Sequence, residues 1–252
     1  MTYYGITNTG LIRTNNEDNF ATVDLAVNAC LLVVCDGMGG LSFGEEASRI
    51  AADTFINKIK SAVVPFISCG RLEHLGDSMI SNVMTSAVYS ANTDVILRAK
   101  ERNESMGVMG STLVGIMVID NEAYVINIGD SRAYLWSGTT ITQITRDHSY
   151  VRMLLDDGLI TDEQARVHPK RNVITRAIGV SYDAEPDLYK INVENGSRIL
   201  LCTDGLYGYC NIDRITEILK NEIELKNACE ELVTEAIAGG GGDNITVVVL
   251  DC

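Results

Sequence analysis

Three β-rich runs follow one another almost without pause: Leu113 to Ile119, Ala123 to Ile128 and Arg132 to Trp136, with Asp120-Asn121 and Gly129-Asp130 at the breaks. A crossover between parallel strands takes about a dozen residues or more, so connections this short make the three runs antiparallel neighbours. Ser137-Gly138 supplies a further hairpin turn into Ile141 to Ile144. A doubly wound parallel sheet is therefore excluded.

The flanking segments add strands and helices to this centre. Thr2 to Asn8, Phe20 to Asp24 and Cys30 to Cys35 read as strands. Ser42 with Glu45 three residues later fits a capping box, and Ala47, Ile50, Ala51, Thr54, Phe55 and Ile59 then recur at helical spacing. A second periodic set, Ile80, Val83, Met84, Ala87, Val88, Ala91 and Val95, predicts a long helix ending in the charged run Arg98 to Glu104. Beyond the hairpins, Asp187 to Val193 and Ser197 to Cys202 resume strands, Asn211 to Leu219 and Leu225 to Ala238 read as helices, and Ile245 to Leu250 is a final strand. The polar stretch Thr145 to Arg171, with Thr161 and Gln164 as a possible cap, is an excursion from the core. The expectation is one α+β domain over residues 1–252, mostly antiparallel, with sheets in the middle and helices outside.

Composition narrows the function classes. A hydrophobic fraction of 46% in 252 residues is ample for a substantial core. A formal net charge of −14 argues against nucleic acid or an anionic membrane as a partner, because both need a basic footprint. The seven cysteines are odd in number and form no C-x-x-C pair, so neither a zinc site nor a disulfide framework is expected. Cys35 and Cys202, at the ends of apolar runs, read as small buried hydrophobes. No stretch reaches the ~18 apolar residues of a spanning helix, and no secretory leader pattern opens the chain. These features predict a reduced, cytoplasmic, soluble protein.

Within this frame the stretch Leu31 to Gly40, LLVVCDGMGG, delivers Asp36 from a buried strand to a glycine-rich corner. Alone, Asp36-Gly37 reads as a tight turn. The pattern recurs, however: Asp204 ends an apolar strand before Gly205, Asp243 follows four glycines and precedes the last strand, and Asp18 lies in an acidic loop near the start. Four carboxylates at strand ends can converge on one edge, and oxygen-only ligands select hard cations such as Mg²⁺ or Mn²⁺.

The ordered set RTNNED (Arg13 to Asp18), DGMGG (Asp36 to Gly40), GSTLV (Gly110 to Val114), IGDSRAYL (Ile128 to Leu135), ITRDHS (Ile144 to Ser149), ITRAIG (Ile174 to Gly179), LLCTDGL (Leu200 to Leu206) and GGDNITVVV (Gly241 to Val249) resembles the bacterial branch of the metal-dependent, type 2C serine/threonine protein phosphatases. The resemblance spans nearly the whole chain. It implies a central antiparallel β-sandwich flanked by helix pairs, α-β-β-α, with residues 145–171 as a flap beside the active site. It implies two Mn²⁺ or Mg²⁺ ions: Asp36 bridging both, the Gly37 carbonyl completing one shell, Asp18, Asp204 and Asp243 binding directly or through water, and Glu17 supporting them from behind. Asp130 would join Asp204 at a third, weaker metal, and Arg13 would clamp the substrate phosphate. The implied reaction is direct attack on phosphoserine or phosphothreonine of a protein by a hydroxide bridging two metals, with no phosphoenzyme, so neither the cysteines nor Ser131 is a nucleophile. A Ser/Thr kinase and its substrates are the implied partners, and a monomer the implied state.

Two departures accompany the resemblance. Met38 stands where the plant and animal branch carries a histidine general acid, which matches the bacterial branch and removes a side-chain proton donor. Tyr207-Gly208-Tyr209 follows LLCTDGL where relatives often continue with Thr-Asp. His74, His148 and His168 read as structural. Three alternatives stand beside the main reading. One is a non-catalytic phosphoprotein-binding member of the fold, which would normally have lost a metal aspartate. The others are a phosphatase dedicated to an anti-sigma antagonist type of regulator and an enzyme for small phosphate esters.

Overall fold

The computed structural model describes residues 1–40, 43–69 and 75–252. The chain enters through β1 (Thr2–Asn8), β2 (Asp18–Ala26) and β3 (Ala29–Met38), then forms two long helices, α1 (Phe43–Ser68) and α2 (Asp77–Glu101). Strands β4 (Gly110–Ser111), β5 (Leu113–Ile119), β6 (Glu122–Ile128), β7 (Arg132–Trp136) and β8 (Ile141–Gln143) follow. Short helices α3 (Tyr150–Asp156) and α4 (Asp162–Arg166) precede β9 (Asp187–Asn192) and β10 (Arg198–Cys202). Helices α5 (Asp204–Tyr207), α6 (Ile212–Asn221) and α7 (Leu225–Ala238) then lead to β11 (Ile245–Asp251).

Two sheets result, ordered β1-β11-β10-β7-β8 and β2-β3-β5-β6-β9, with every pairing antiparallel as the short connections require. Alternate side chains of a strand point to opposite faces. In β3, Leu31, Val33 and Cys35 join Phe55, Ile59, Met84 and Val88 of the two long helices, whereas Leu32 and Val34 meet Ile199, Leu201, Val248 and Leu250 of the other sheet. The arrangement repeats from the far side in β11, where Val247 and Val249 pack with Ile215, Leu232 and Ala236 of α6 and α7. Strands covered on both faces have no solvent side to keep polar, which is why LLVVC and VVVL are unbroken apolar runs. The layers are helix, sheet, sheet, helix: the α+β sandwich with flanking helix pairs that the sequence leads one to expect.

One local expectation fails. Asp36-Gly37 is not a turn, because β3 continues through both residues and pairs Gly37 with Ser111 and Met38 with Gly110. The Gly37 N–H donates to the Glu17 carbonyl at 3.1 Å, and a Cβ here would run into the Gly44 carbonyl. Glycine is needed for the close approach of β3 to the start of α1. The capping box expected at Ser42, and His74, lie outside the described residues. The box at Thr161 and Gln164 is present in full at the start of α4.

Residues 145–171 carry α3 and α4 outside both sheets, and their root is pinned. The His148 N–H donates to the Gly129 carbonyl at 2.9 Å, the Thr175 N–H donates to the His148 carbonyl at 2.7 Å, and Asp147, His148 and Ser149 are buried.

The helix layer also meets its sheet closely at Phe55, fully buried, whose ring lies where a Cβ on Gly115 would come within 2.7 Å. Phe55→Ala is expected to cost about 3–5 kcal/mol in urea unfolding. Gly115→Ala is expected to destabilise wild type but to cost less in a Phe55→Leu background, a coupling that a double-mutant cycle measures.

Candidate functional site

Pairing of β2 with β3 sets Asp18 directly opposite Asp36. Side chains so placed stand about 4.5–5.5 Å apart at Cβ, and like charges there repel. The backbone of Asp36 is held from the neighbouring strand segment: its N–H donates to Thr112 Oγ1 (2.9 Å), and its carbonyl accepts from the Thr112 N–H (2.8 Å) and Ser111 Oγ (3.1 Å). Thr112 Oγ1 also shares a hydrogen bond with Ser131 Oγ at 2.7 Å. Asp18 is fixed from the other sheet, since Thr203 Oγ1 donates to Asp18 Oδ2 at 2.8 Å while accepting from the Thr246 N–H at 3.0 Å.

Asp204 directly follows Thr203, the residue after β10, and opens α5. Gly205 behind it allows α5 to approach the Asn244 carbonyl, which any Cβ would strike. Asp243 precedes that asparagine and accepts from Arg13 Nη2 at 2.9 Å, the arginine side chain remaining 49% exposed. Asn244 binds the acidic loop down: its Oδ1 accepts from the Glu17 N–H at 2.8 Å, and its Nδ2 donates to the carbonyls of Thr9 (3.0 Å) and Asn15 (2.9 Å). The Glu17 carboxylate lies against Gly44 at the start of α1. Asp130, buried at the corner after β6, accepts at its carbonyl from Tyr207 Oη at 2.9 Å.

One edge, where strand ends of both sheets meet, thus carries Asp18, Asp36, Asp130, Asp204 and Asp243. Burial, and then the charges of Asp18, Asp204, Asp130 and Asp243, push the Asp36 carboxyl well above the ordinary carboxylate range. Burial also leads for Asp130 and Asp204, followed by the charge of Asp204 on the first and of Asp243 on the second. Asp18 is raised by burial too, against hydrogen bonds from Thr246 and Thr203 that pull the other way. These are the signs expected of carboxylates desolvated among like charges, and a cation among them would reverse the cost.

Two oxygens of this edge, Asp18 Oδ1 and Asp204 Oδ1, are buried without a hydrogen-bond partner. Buried acceptors without donors are costly, so they point to a ligand of positive charge. The donors are all oxygen, which suits Mg²⁺ or Mn²⁺. Among the described residues no three His, Cys, Asp or Glu side chains close into a cage. Ions of this kind keep several waters and take one or two carboxylates each, so an open set fits them. A groove between α1 and α2, lined by Lys58, Met79, Asn82 and Ser86, shares no residue with this edge.

The structure thus brings together the aspartates singled out from sequence, with Gly37 beside Asp36 and Arg13 on Asp243. Reading the sequence missed Thr112, Thr203 and Asn244. The only signal for Thr203 and Asn244 was adjacency to Asp204 and Asp243, and Thr112 lay in GSTLV with no aspartate beside it. A threonine at a strand end does not announce which distant residue it will meet. Cys35 and Cys202 are fully buried, as expected, and burial raises the Cys35 thiol well above its ordinary range. Ser131 is fully buried as well. His148 accepts from the Gly129 N–H at Nδ1 (3.2 Å) and pairs with Asp187 through Nε2 (3.1 Å), a buried structural role.

The family model described as protein phosphatase 2C matches residues 13–238. The chain is similar to the serine/threonine phosphatase stp of Listeria monocytogenes, 32% identical over 245 residues that cover 97% of this chain and 93% of that protein. It superimposes on the crystal structure of the Mycobacterium tuberculosis serine/threonine phosphatase PstP/Ppp with a TM-score of 0.83, 34% identity, and coverage of 99% and 97% of the two chains. It also matches the catalytic domain of PstP in complex with two manganese ions, with a TM-score of 0.80, 33% identity, and coverage of 99% and 97%.

The crowding of charge gives a test that needs no substrate. In protein stripped with chelator, Asp36→Asn is expected to stabilise the fold by about 1 kcal/mol in urea unfolding, because it removes one of two opposed charges while keeping the shape. A loss of stability would show that the pair is not repulsive.

Proposed function

Because the chain belongs to the protein phosphatase 2C family, we propose that its aspartate-lined edge is the metal-binding centre and Arg13 the phosphate clamp. The protein is a metal-dependent serine/threonine protein phosphatase of the bacterial kind, using two Mn²⁺ or Mg²⁺ ions. In this reading Asp36, the Gly37 carbonyl, Asp18, Asp204 and Asp243 hold the two ions, Glu17 supports them from behind, and Asp130 with Asp204 holds a third more weakly. The observation that carries the assignment is the pair of buried, unpartnered oxygens on Asp18 and Asp204, facing like charges across two sheets.

When bound, the ions supply Lewis acidity, making water a nucleophile near neutral pH and neutralising charge on the phosphoryl group. The chain supplies position. Thr112, Ser111 and Thr203 hold Asp36 and Asp18 by hydrogen bonds, so the carboxylates need little reorganisation. Arg13, half-exposed beside Asp243, offers a planar fork to phosphate oxygens. No nucleophilic side chain enters: Ser131 and Cys35 are buried, and Ser131 Oγ is engaged by Thr112. Met38 cannot donate a proton, so the chain offers the leaving oxygen no acid at that position.

Substrates in this reading are phosphorylated proteins, with a Ser/Thr kinase and its targets the natural set, met by a monomer in the cytoplasm. Residues 1–252 act as one catalytic domain, and 145–171 as a flap that bears on substrate choice. The naming of relatives supports the substrate class. Among the described residues no helix is long and apolar enough to cross a membrane.

Hydrolysis of phosphothreonine peptides is expected only with added Mn²⁺ or Mg²⁺, and Asp36→Asn is expected to abolish it with the fold intact by circular dichroism. Phosphate release that persists in excess chelator, or in that variant, overturns the two-metal assignment.

A further inference from the structure

Tyr207 lies one helical turn after Asp204 in α5, so the two side chains share a face. Its hydroxyl donates to the backbone carbonyl of Asp130 at 2.9 Å. The face of its ring is covered by the Arg132 guanidinium, 3.5 Å from the ring centroid. That guanidinium is itself held by two side chains. Arg132 Nε donates to both oxygens of Asp147 (3.0 and 3.1 Å), Nη2 donates to Asp147 Oδ2 (2.6 Å), and Nη1 donates to Tyr134 Oη (2.9 Å). Asp147 also accepts from Gln143 Nε2 at 2.8 Å and is buried at the root of the 145–171 segment. The corner before Asp130 is clamped from its other side, where Gly129 donates to His148 Nδ1 (3.2 Å) and accepts from the His148 N–H (2.9 Å) and Asn127 Nδ2 (3.2 Å).

A continuous polar and cation–π path therefore runs from the root of that segment through Arg132 and the Tyr207 ring to the Asp130 carbonyl, and Tyr207 shares the short helix α5 with Asp204. Hydroxyl, ring face and helix position of one residue are all engaged, which a merely space-filling aromatic would not require. Resting on the assignment of Asp130 and Asp204 to a third, weaker metal, we propose that Tyr207 is a positioning residue that fixes the spacing of these two carboxylates, and that Arg132 ties that spacing to the root of the 145–171 segment. Outer partners of metal ligands set affinity by holding the ligand's orientation. The tyrosine thus occupies, in this chain, the position at which the sequence departs from LLCTDGL-Thr-Asp relatives.

Calorimetric titration of the full chain with Mn²⁺ tests the proposal without reference to catalysis. Tyr207→Phe keeps the ring for Arg132 and removes only the donor to Asp130; it is expected to weaken the lowest-affinity class of Mn²⁺ binding by about 10-fold or more, to leave the tighter classes unchanged, and to lower the chelator-state melting temperature only by the loss of one hydrogen bond. Tyr207→Leu, which also removes the cation–π face, is expected to weaken that class further, and Asp130→Asn to eliminate it. A Tyr207→Phe isotherm identical to wild type overturns the proposal. So does a uniform weakening of all classes, which would mark an ordinary packing role. A weakest class that Asp130→Asn leaves intact overturns instead the third-metal assignment on which the proposal rests.

Discussion

Asp18 and Asp36 face each other across one antiparallel strand pair, Asp204 and Asp243 add their charges from strand ends of the second sheet, and Asp130 adds its own from the corner between β6 and β7. Carboxylates buried at this spacing oppose folding, so the remainder of the structure has to hold them. It does so with hydrogen bonds to backbone and carboxylate from Thr112, Ser111 and Thr203, which sit at or beside the ends of β4, β5 and β10. The apolar layers are therefore the condition of the site as well as its setting. Because Leu31 to Cys35 are apolar and buried on both faces, a one-residue slip would still keep them out of water, so the register of β3 is held by side-chain fit and by the close approach of Gly37 to Gly44.

The same double burial explains what was legible in the sequence. Unbroken apolar runs and two-residue breaks identified nearly every long strand, and helical periodicity located α1, α2, α6 and α7. Asp36, Asp204 and Asp243 were visible because each follows or precedes such a run, whereas Asp18 read as part of an acidic loop and Asp130 entered only through the resemblance. Elements too short to show a period, α5 with four residues and β4 with two, were not visible. Nor was the path of β3 through Asp36-Gly37, since glycine after aspartate signals a turn and a close approach alike.

Contacts that join distant segments were the least legible. Nothing local to Thr203 indicates Asp18, and nothing local to Tyr207 indicates the Asp130 carbonyl. The resemblance to a family supplied which aspartates matter; the structure adds the neutral side chains that hold them, and these are the residues whose partners only the fold decides.

Strand β11 inserts between β1 and β10, and through the residues just before it Arg13 meets Asp243 and Glu17 meets Asn244 across 230 and 227 residues of chain. A ribosome emits Asp18 and Asp36 long before Asp243 exists. Until β11 docks, the acidic loop lacks its asparagine tether and the arginine its partner. Pairing over such separations is slow relative to local hairpins. The acidic edge is therefore completed late in synthesis, and a nascent chain that has already formed β3, α1 and α2 still lacks Asp130, Asp204 and Asp243.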